Sequence, residues 1–134
     1  RVVALDVDPV AVTATAENAA ANGISPIVEV QAGSIGPSSI GWLDRENVHE
    51  RDARVVDLGG QQFDLVLANL VAQILIDLAA YFRPLLAPGG LLLASGIIED
   101  RVEDVRTAFR QNGLRIVDER SENDWYLLAC TAST

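Results

Sequence analysis

Two rhythms of apolar and polar positions alternate along this chain. Short apolar runs such as Val2-Val3-Ala4-Leu5 and Phe63-Asp64-Leu65-Val66-Leu67-Ala68 predict strands buried on both faces, as parallel strands are. Residues 27–31 and 91–95 predict two further strands. Between them, segments 9–22, 71–86 and 99–112 repeat at helical spacing, with Ile74, Leu75, Leu78 and Phe82 on one stripe and Val102, Val105 and Phe109 on another. Strands alternating with helices predict a three-layer α/β fold with a mostly parallel sheet. Residues 114–119 and 125–130 predict two last strands. The five polar residues Arg120-Ser121-Glu122-Asn123-Asp124 between them cannot hold a crossover helix, so this pair is expected to be antiparallel.

Local signals mark the joints. Asp8 suits a helix N-cap and Pro9 the first helical position. Asn22-Gly23 and Gly113 supply left-handed stops, and Pro88-Gly89-Gly90 a turn into the strand at 91–95. Residues 35–62 form a long polar passage, expected to be loop with one helical turn within 43–51.

With 134 residues, 49% of them hydrophobic, the chain can bury a core of its own and is expected to form one domain. No apolar run is long enough to span a membrane, so no membrane partner is expected. A net charge of −9 argues against a surface that grips nucleic acid. The single Cys130 can form no internal disulfide, and a reduced, cytoplasmic setting is expected. His49 is the only histidine and has no cysteine beside it, so no metal is expected. The chain lacks methionine and begins one residue before a strand, which suggests the carboxyl-terminal piece of something longer.

Candidate chemistry starts at Asp6. A carboxylate at the carboxyl end of a parallel strand is where α/β nucleotide-binding sheets hold ribose hydroxyls. It can accept two hydrogen bonds from a vicinal diol. The other reading is a strand–helix joint in which Asp6 and Asp8 serve only as caps.

Four features in order resemble the S-adenosylmethionine-dependent methyltransferase fold from its second strand to its end. They are Asp6-Val7-Asp8-Pro9, Gly33-Ser34-Ile35, Ala68-Asn69-Leu70 and Pro88-Gly89-Gly90-Leu91. Within that fold the Gly-Ser pair, Ala-Asn-Leu, Ser95-Gly96-Ile97 and Asp124-Trp125 are similar to the ribosomal-protein methyltransferase family (PrmA), which acts on the eleventh protein of the large subunit. The resemblance implies that residues 1–134 are the carboxyl-terminal part of a catalytic domain, lacking that family's first strand and glycine-rich loop. It implies S-adenosylmethionine as cofactor, held by Asp6 on the ribose, Val7 against adenine, and Gly33 and Ser34 near the adenine nitrogens. Asn69 would lie over the reacting methyl group. Leu70, Ser95 and Gly96 would lie on the substrate side. The implied partner is a ribosomal protein of the large subunit, methylated on lysine side-chain and amino-terminal amines.

Asn69 would accept the hydrogens of an amine and turn its lone pair toward the methyl group. Enzymes acting on bases or amides carry Asn-Pro-Pro-Tyr here; Asn69-Leu70-Val71-Ala72 has neither ring nor prolines, which points to a flexible aliphatic amine. The competing reading makes Asn69 a helix N-cap. Three alternative functions stay open: a methyltransferase for a small-molecule amine or hydroxyl, an NAD-dependent oxidoreductase, whose ribose Asp6 would suit equally, and a non-catalytic remnant. The closing antiparallel hairpin and Pro88-Gly89-Gly90 favour the methyl donor over NAD. Trp42 and Trp125 read as packing residues, with Trp125 also a candidate border of the substrate channel. Glu99, Asp100, Glu103 and Asp104 read as a solvated first helical turn.

Overall fold

The computed structural model describes residues 1–36 and 54–134. The chain forms two compact units, Arg1–Leu58 and Gly59–Thr134. The expected helical turn within 43–51, His49 and Trp42 lie outside the described residues.

In the first unit, β1 (Val2–Asp6) pairs in parallel with β2 (Val28–Ala32), in register from Val2 opposite Val28 to Asp6 opposite Ala32. Helix α1 (Pro9–Ala21) makes the crossover between them. Its start is specified locally. The Asp8 carboxylate accepts the Val10 N–H at 2.9 Å, and Pro9 occupies the first turn, where no donor is needed. Its end is equally local, with Gly23 at φ +68°. Among the described residues of this unit the buried ones are few and small, Ala19, Gly33 and Val56. Arg1 pairs with Glu29 at the sheet margin.

The second unit holds a four-stranded sheet in the order β3 (Phe63–Asn69), β4 (Leu86–Ile98), β6 (Trp125–Ala132), β5 (Leu114–Glu122). β3 is parallel to β4, and β6 runs antiparallel to both β4 and β5, so only β6 opposes the others in this sheet. The expected single helix at 71–86 is divided. α2 (Ala72–Asp77) and α3 (Ala79–Phe82) meet at Leu78, where Tyr81 N–H bonds to the Leu78 carbonyl three residues back. Pro84 then closes the segment in a 3₁₀ turn. The expected turn at Pro88-Gly89-Gly90 sits inside β4 as a bulge, because Leu86 already pairs with Phe63 before Leu91 pairs with Leu65. The hairpin is tighter than expected: Arg120, Ser121 and Glu122 stay paired and only Asn123-Asp124 turn, with Asn123 at φ +53°.

Helix α4 (Val102–Gln111) follows a 3₁₀ turn at Glu99–Arg101 and buries Val102, Val105, Ala108 and Phe109, the stripe its spacing predicts. Phe109 meets Phe82 of α3 edge to face, ring centroids 5.9 Å apart at 77°. Arg106 ties α4 to β5 through Glu119 at 2.6–3.0 Å and also bonds Glu103 at 2.7 Å. The Glu119 bonds, then the Glu103 bond, hold its guanidinium above its ordinary pKa.

One expectation fails for β3. Ala68 is buried, but Leu65 and Leu67, on the opposite face, are 50% and 70% exposed. The buried positions of neighbouring strands, Leu92 and Ala94 of β4 with Leu128 and Cys130 of β6, share the face of Ala68.

Cys130 lies in that core, and burial pushes its thiol up to about 12. The folded protein is therefore expected to resist iodoacetamide at pH 8.5 and to react fully once unfolded in urea. The folded value lies above the unfolded one of roughly 8.5, so this contribution to stability is whole below pH ~8.5 and lost as pH climbs toward 12. Alkylation of the folded protein as fast as of the unfolded one would contradict this.

Candidate active site

The first cluster forms at the carboxyl ends of β1 and β2. One oxygen of Asp6 accepts the backbone N–H of Asp8 at 2.9 Å, folding the strand–helix turn back on itself. Asp8, not Asp6, caps α1. The two acids thus have different duties, and the reading of both as caps is set aside. The exposed Asp6 carboxylate has further acceptor positions beyond its bond to Asp8.

The Asp6 backbone carbonyl accepts the Gly33 N–H at 2.8 Å, which places Gly33 and Ser34 beside the carboxylate turn. Gly33 is buried at φ +137°. A Cβ there would press into the Arg54 carbonyl oxygen and stand 2.8 Å from Val56 Cγ2. Only glycine fits. Ser34 makes an isolated parallel bridge with Val55: its N–H bonds to the Arg54 carbonyl, and its carbonyl accepts the Val56 N–H, both at 3.0 Å. The Ser34 hydroxyl donates to the Ile35 carbonyl at 2.9 Å. Residues 54–56 were absorbed into the expected polar loop. The β-branched pair Val55-Val56 was the available signal for them.

The second cluster forms at the carboxyl ends of β3 and β4, where Asn69 stands opposite Ser95 in register. The Ser95 hydroxyl donates to Asn69 Oδ1 at 3.2 Å, and Leu70 N–H donates to the Ser95 carbonyl at 3.1 Å. The N-cap of α2 is Val71, which makes no side-chain cap bond. Asn69 is therefore not the cap, and its amide is free of that duty. Gly96 has φ +83°, and a Cβ there would lie 2.8 Å from the Leu70 carbonyl oxygen and 2.9 Å from Asn69 Oδ1. Two uncharged acceptors thus converge beside a residue with no side chain. Such a pair can accept hydrogens from one nitrogen.

The candidate residues therefore come together as two sets: Asp6, Val7, Gly33 and Ser34 in one unit, and Asn69, Leu70, Ser95 and Gly96 in the other. Trp125 is 56% exposed and pairs across strands with Ile98, so it is not a packing residue of its unit. The acids at the start of α4 are largely engaged. Asp104 pairs with Arg101, and Glu103 with Arg106 and Arg110, while Glu99 accepts from the Tyr126 hydroxyl at 3.5 Å. Among the described residues no group of three or more His, Cys, Asp or Glu side chains could hold a metal ion.

The sequence profile of the family "Ribosomal protein L11 methyltransferase (PrmA)" matches residues 1–133. A ribosomal protein L11 methyltransferase of Herpetosiphon aurantiacus is 40% identical over 133 residues, covering 93% of this chain and 39% of that protein. One from Chloroflexus aurantiacus is 39% identical, covering 96% of this chain and 40% of its own length. The chain thus spans about two fifths of the curated relatives it matches. The crystal structure of a ribosomal protein L11 methylase from Lactobacillus delbrueckii subsp. bulgaricus superposes with a TM-score of 0.73 at 26% identity, over 98% of this chain and 57% of that one. The expected Rossmann-like methyltransferase fold is borne out.

Proposed function

The chain belongs to the ribosomal protein L11 methyltransferase family, and from that premise we propose that it supplies the second-strand-to-end part of a catalytic domain that methylates lysine side-chain and amino-terminal amines of that ribosomal protein. S-adenosylmethionine, when bound, supplies an activated methyl group on a cationic sulfur. The residues of this chain bind and orient on their side of the site. Asp6 holds the ribose hydroxyls with the acceptor positions its turn leaves available. Val7 lies against adenine, Gly33 makes room for Arg54 and Val56 behind the turn, and the Ser34 hydroxyl, its proton given to the Ile35 carbonyl, accepts from the exocyclic amine. Asn69 Oδ1 and the Leu70 carbonyl accept the hydrogens of the incoming amine and aim its lone pair. A lysine amine titrates near 10.4 in water, so it reacts only in its neutral form. Two neutral acceptors suit that form, since neither adds a negative charge that would hold the extra proton.

The observation that carries this reading is the convergence of Asn69 Oδ1 and the Leu70 carbonyl beside Gly96. Val71 and Ala72 place no aromatic ring next to it, which favours an aliphatic amine over a planar base or amide. The net charge of −9 suits a basic protein substrate better than a nucleic acid. A cytoplasmic site of action, where ribosomal proteins are made and assembled, is part of this proposal; Cys130 is free and buried, and among the described residues no helix is long and apolar enough to cross a membrane.

The test uses the whole protein. S-adenosylhomocysteine is expected to raise its melting temperature and NAD⁺ to leave it unchanged. Labelled methyl groups should pass to the amines of the ribosomal protein. A shift by NAD⁺ alone, or stabilisation by S-adenosylhomocysteine with label passing only to small molecules, would overturn the proposal.

A further inference from the structure

We propose that Ser95 is a positioning residue that holds the Asn69 side chain in place to meet the amine; this rests on the role given to Asn69 above. An asparagine amide has an acceptor end and a donor end, and only the first can receive an amine's hydrogens. Turned over, its NH₂ group would donate to the amine lone pair and tie up the electrons that must attack carbon. The side chain must therefore be held in place and not left to rotate.

The Ser95 hydroxyl supplies that hold. It donates to Asn69 Oδ1 at 3.2 Å, and that oxygen still has a second lone pair for substrate. The placement of Ser95 is itself over-determined. It stands opposite Asn69 in the β3–β4 register, and its carbonyl receives the Leu70 N–H at 3.1 Å. The β4–β6 register then slips between Ala94 and Ile97, the span that contains Ser95 and Gly96, while Leu93 and Ala94 keep regular pairing before it. Such a slip re-aims the side chains next to it. Gly96, at φ +83°, takes up the bend without placing a carbon between the serine hydroxyl, Asn69 Oδ1 and the Leu70 carbonyl.

A double-mutant cycle in the whole protein tests this. Ser95→Ala is expected to lower kcat about tenfold, the loss of one orienting hydrogen bond, with KM for both substrates unchanged within twofold. Ser95→Thr keeps the hydroxyl and should restore kcat to within about threefold of the parent. In an Asn69→Ala background, Ser95→Ala should change nothing further. S-adenosylhomocysteine binding by each variant confirms that the site still folds. Additive losses, a Ser95→Thr variant as slow as Ser95→Ala, or an effect confined to KM would overturn the proposal while leaving the role of Asn69 standing. An Asn69→Ala variant with undiminished kcat would instead remove the role of Asn69, and the positioning role of Ser95 with it.

Discussion

Asn69→Ala in the whole protein is expected to lower kcat by about a thousandfold while KM for S-adenosylmethionine stays within about threefold. The asymmetry follows from where the side chain acts. In the proposed role its oxygen meets the amine, not the ribose or adenine, so its removal costs alignment in the transition state more than binding in the ground state. Aligning a nucleophile for an in-line displacement contributes several orders of magnitude. Removal of one preorganised polar contact at a reacting centre typically costs 10²–10³ in kcat. Fold is not at stake, because the helix that follows is capped at Val71 with no help from Asn69. A loss of less than about fivefold would leave Leu70, through its carbonyl, as the main guide and would remove Asn69 from the chemistry.

Phe109→Ala carries the largest expected effect on stability, about 4 kcal/mol. The ring is fully buried, meets Phe82 edge to face at 5.9 Å, and lies on the stripe by which α4 closes the core over the sheet. Three losses combine: transfer of a large apolar group, the cavity left behind, and the aromatic pair. The ion pair of Arg106 with Glu119 holds α4 near β5 from the surface and so limits how far the helix can collapse into the gap. Thr107→Ala, exposed on the same helix, should shift stability by no more than about 0.5 kcal/mol. Urea unfolding followed by circular dichroism measures both. A Phe109→Ala loss under about 1 kcal/mol would mean that α4 is not the lid of this core.

What the chain disclosed in advance was chiefly local. The cap at Asp8, the stop at Asn22-Gly23 and the amphipathic stripe of α4 each depend on residues within a few positions of one another, and each appears as expected. The antiparallel closing pair followed from loop length alone, although Asn123 tolerates a left-handed turn and so let the hairpin close more tightly. The candidate acids separated only once hydrogen bonds were seen: Asp8 caps and Asp6 does not. The rest depended on pairings over long stretches of chain. Gly33 is constrained by Arg54 and Val56, and Asn69 Oδ1 accepts the hydroxyl of Ser95, twenty-six positions away. The apolar run of β3 signalled hydrophobic side chains but not what would cover them, so Leu65 and Leu67 were misjudged as buried.

The claim on which the cofactor assignment rests is that Asp6 holds the ribose of S-adenosylmethionine. Isothermal titration of the whole protein with S-adenosylhomocysteine, parent against Asp6→Ala, tests it most directly. Two charge-assisted hydrogen bonds, each contributing ~1.5 kcal/mol, predict an affinity about 100-fold weaker. The same variant should lose much less affinity for 2′,3′-dideoxy-S-adenosylhomocysteine than for the natural ligand, because that analogue offers no diol to lose. Equal losses for both ligands, or none for either, would show that Asp6 only shapes the turn at Asp8.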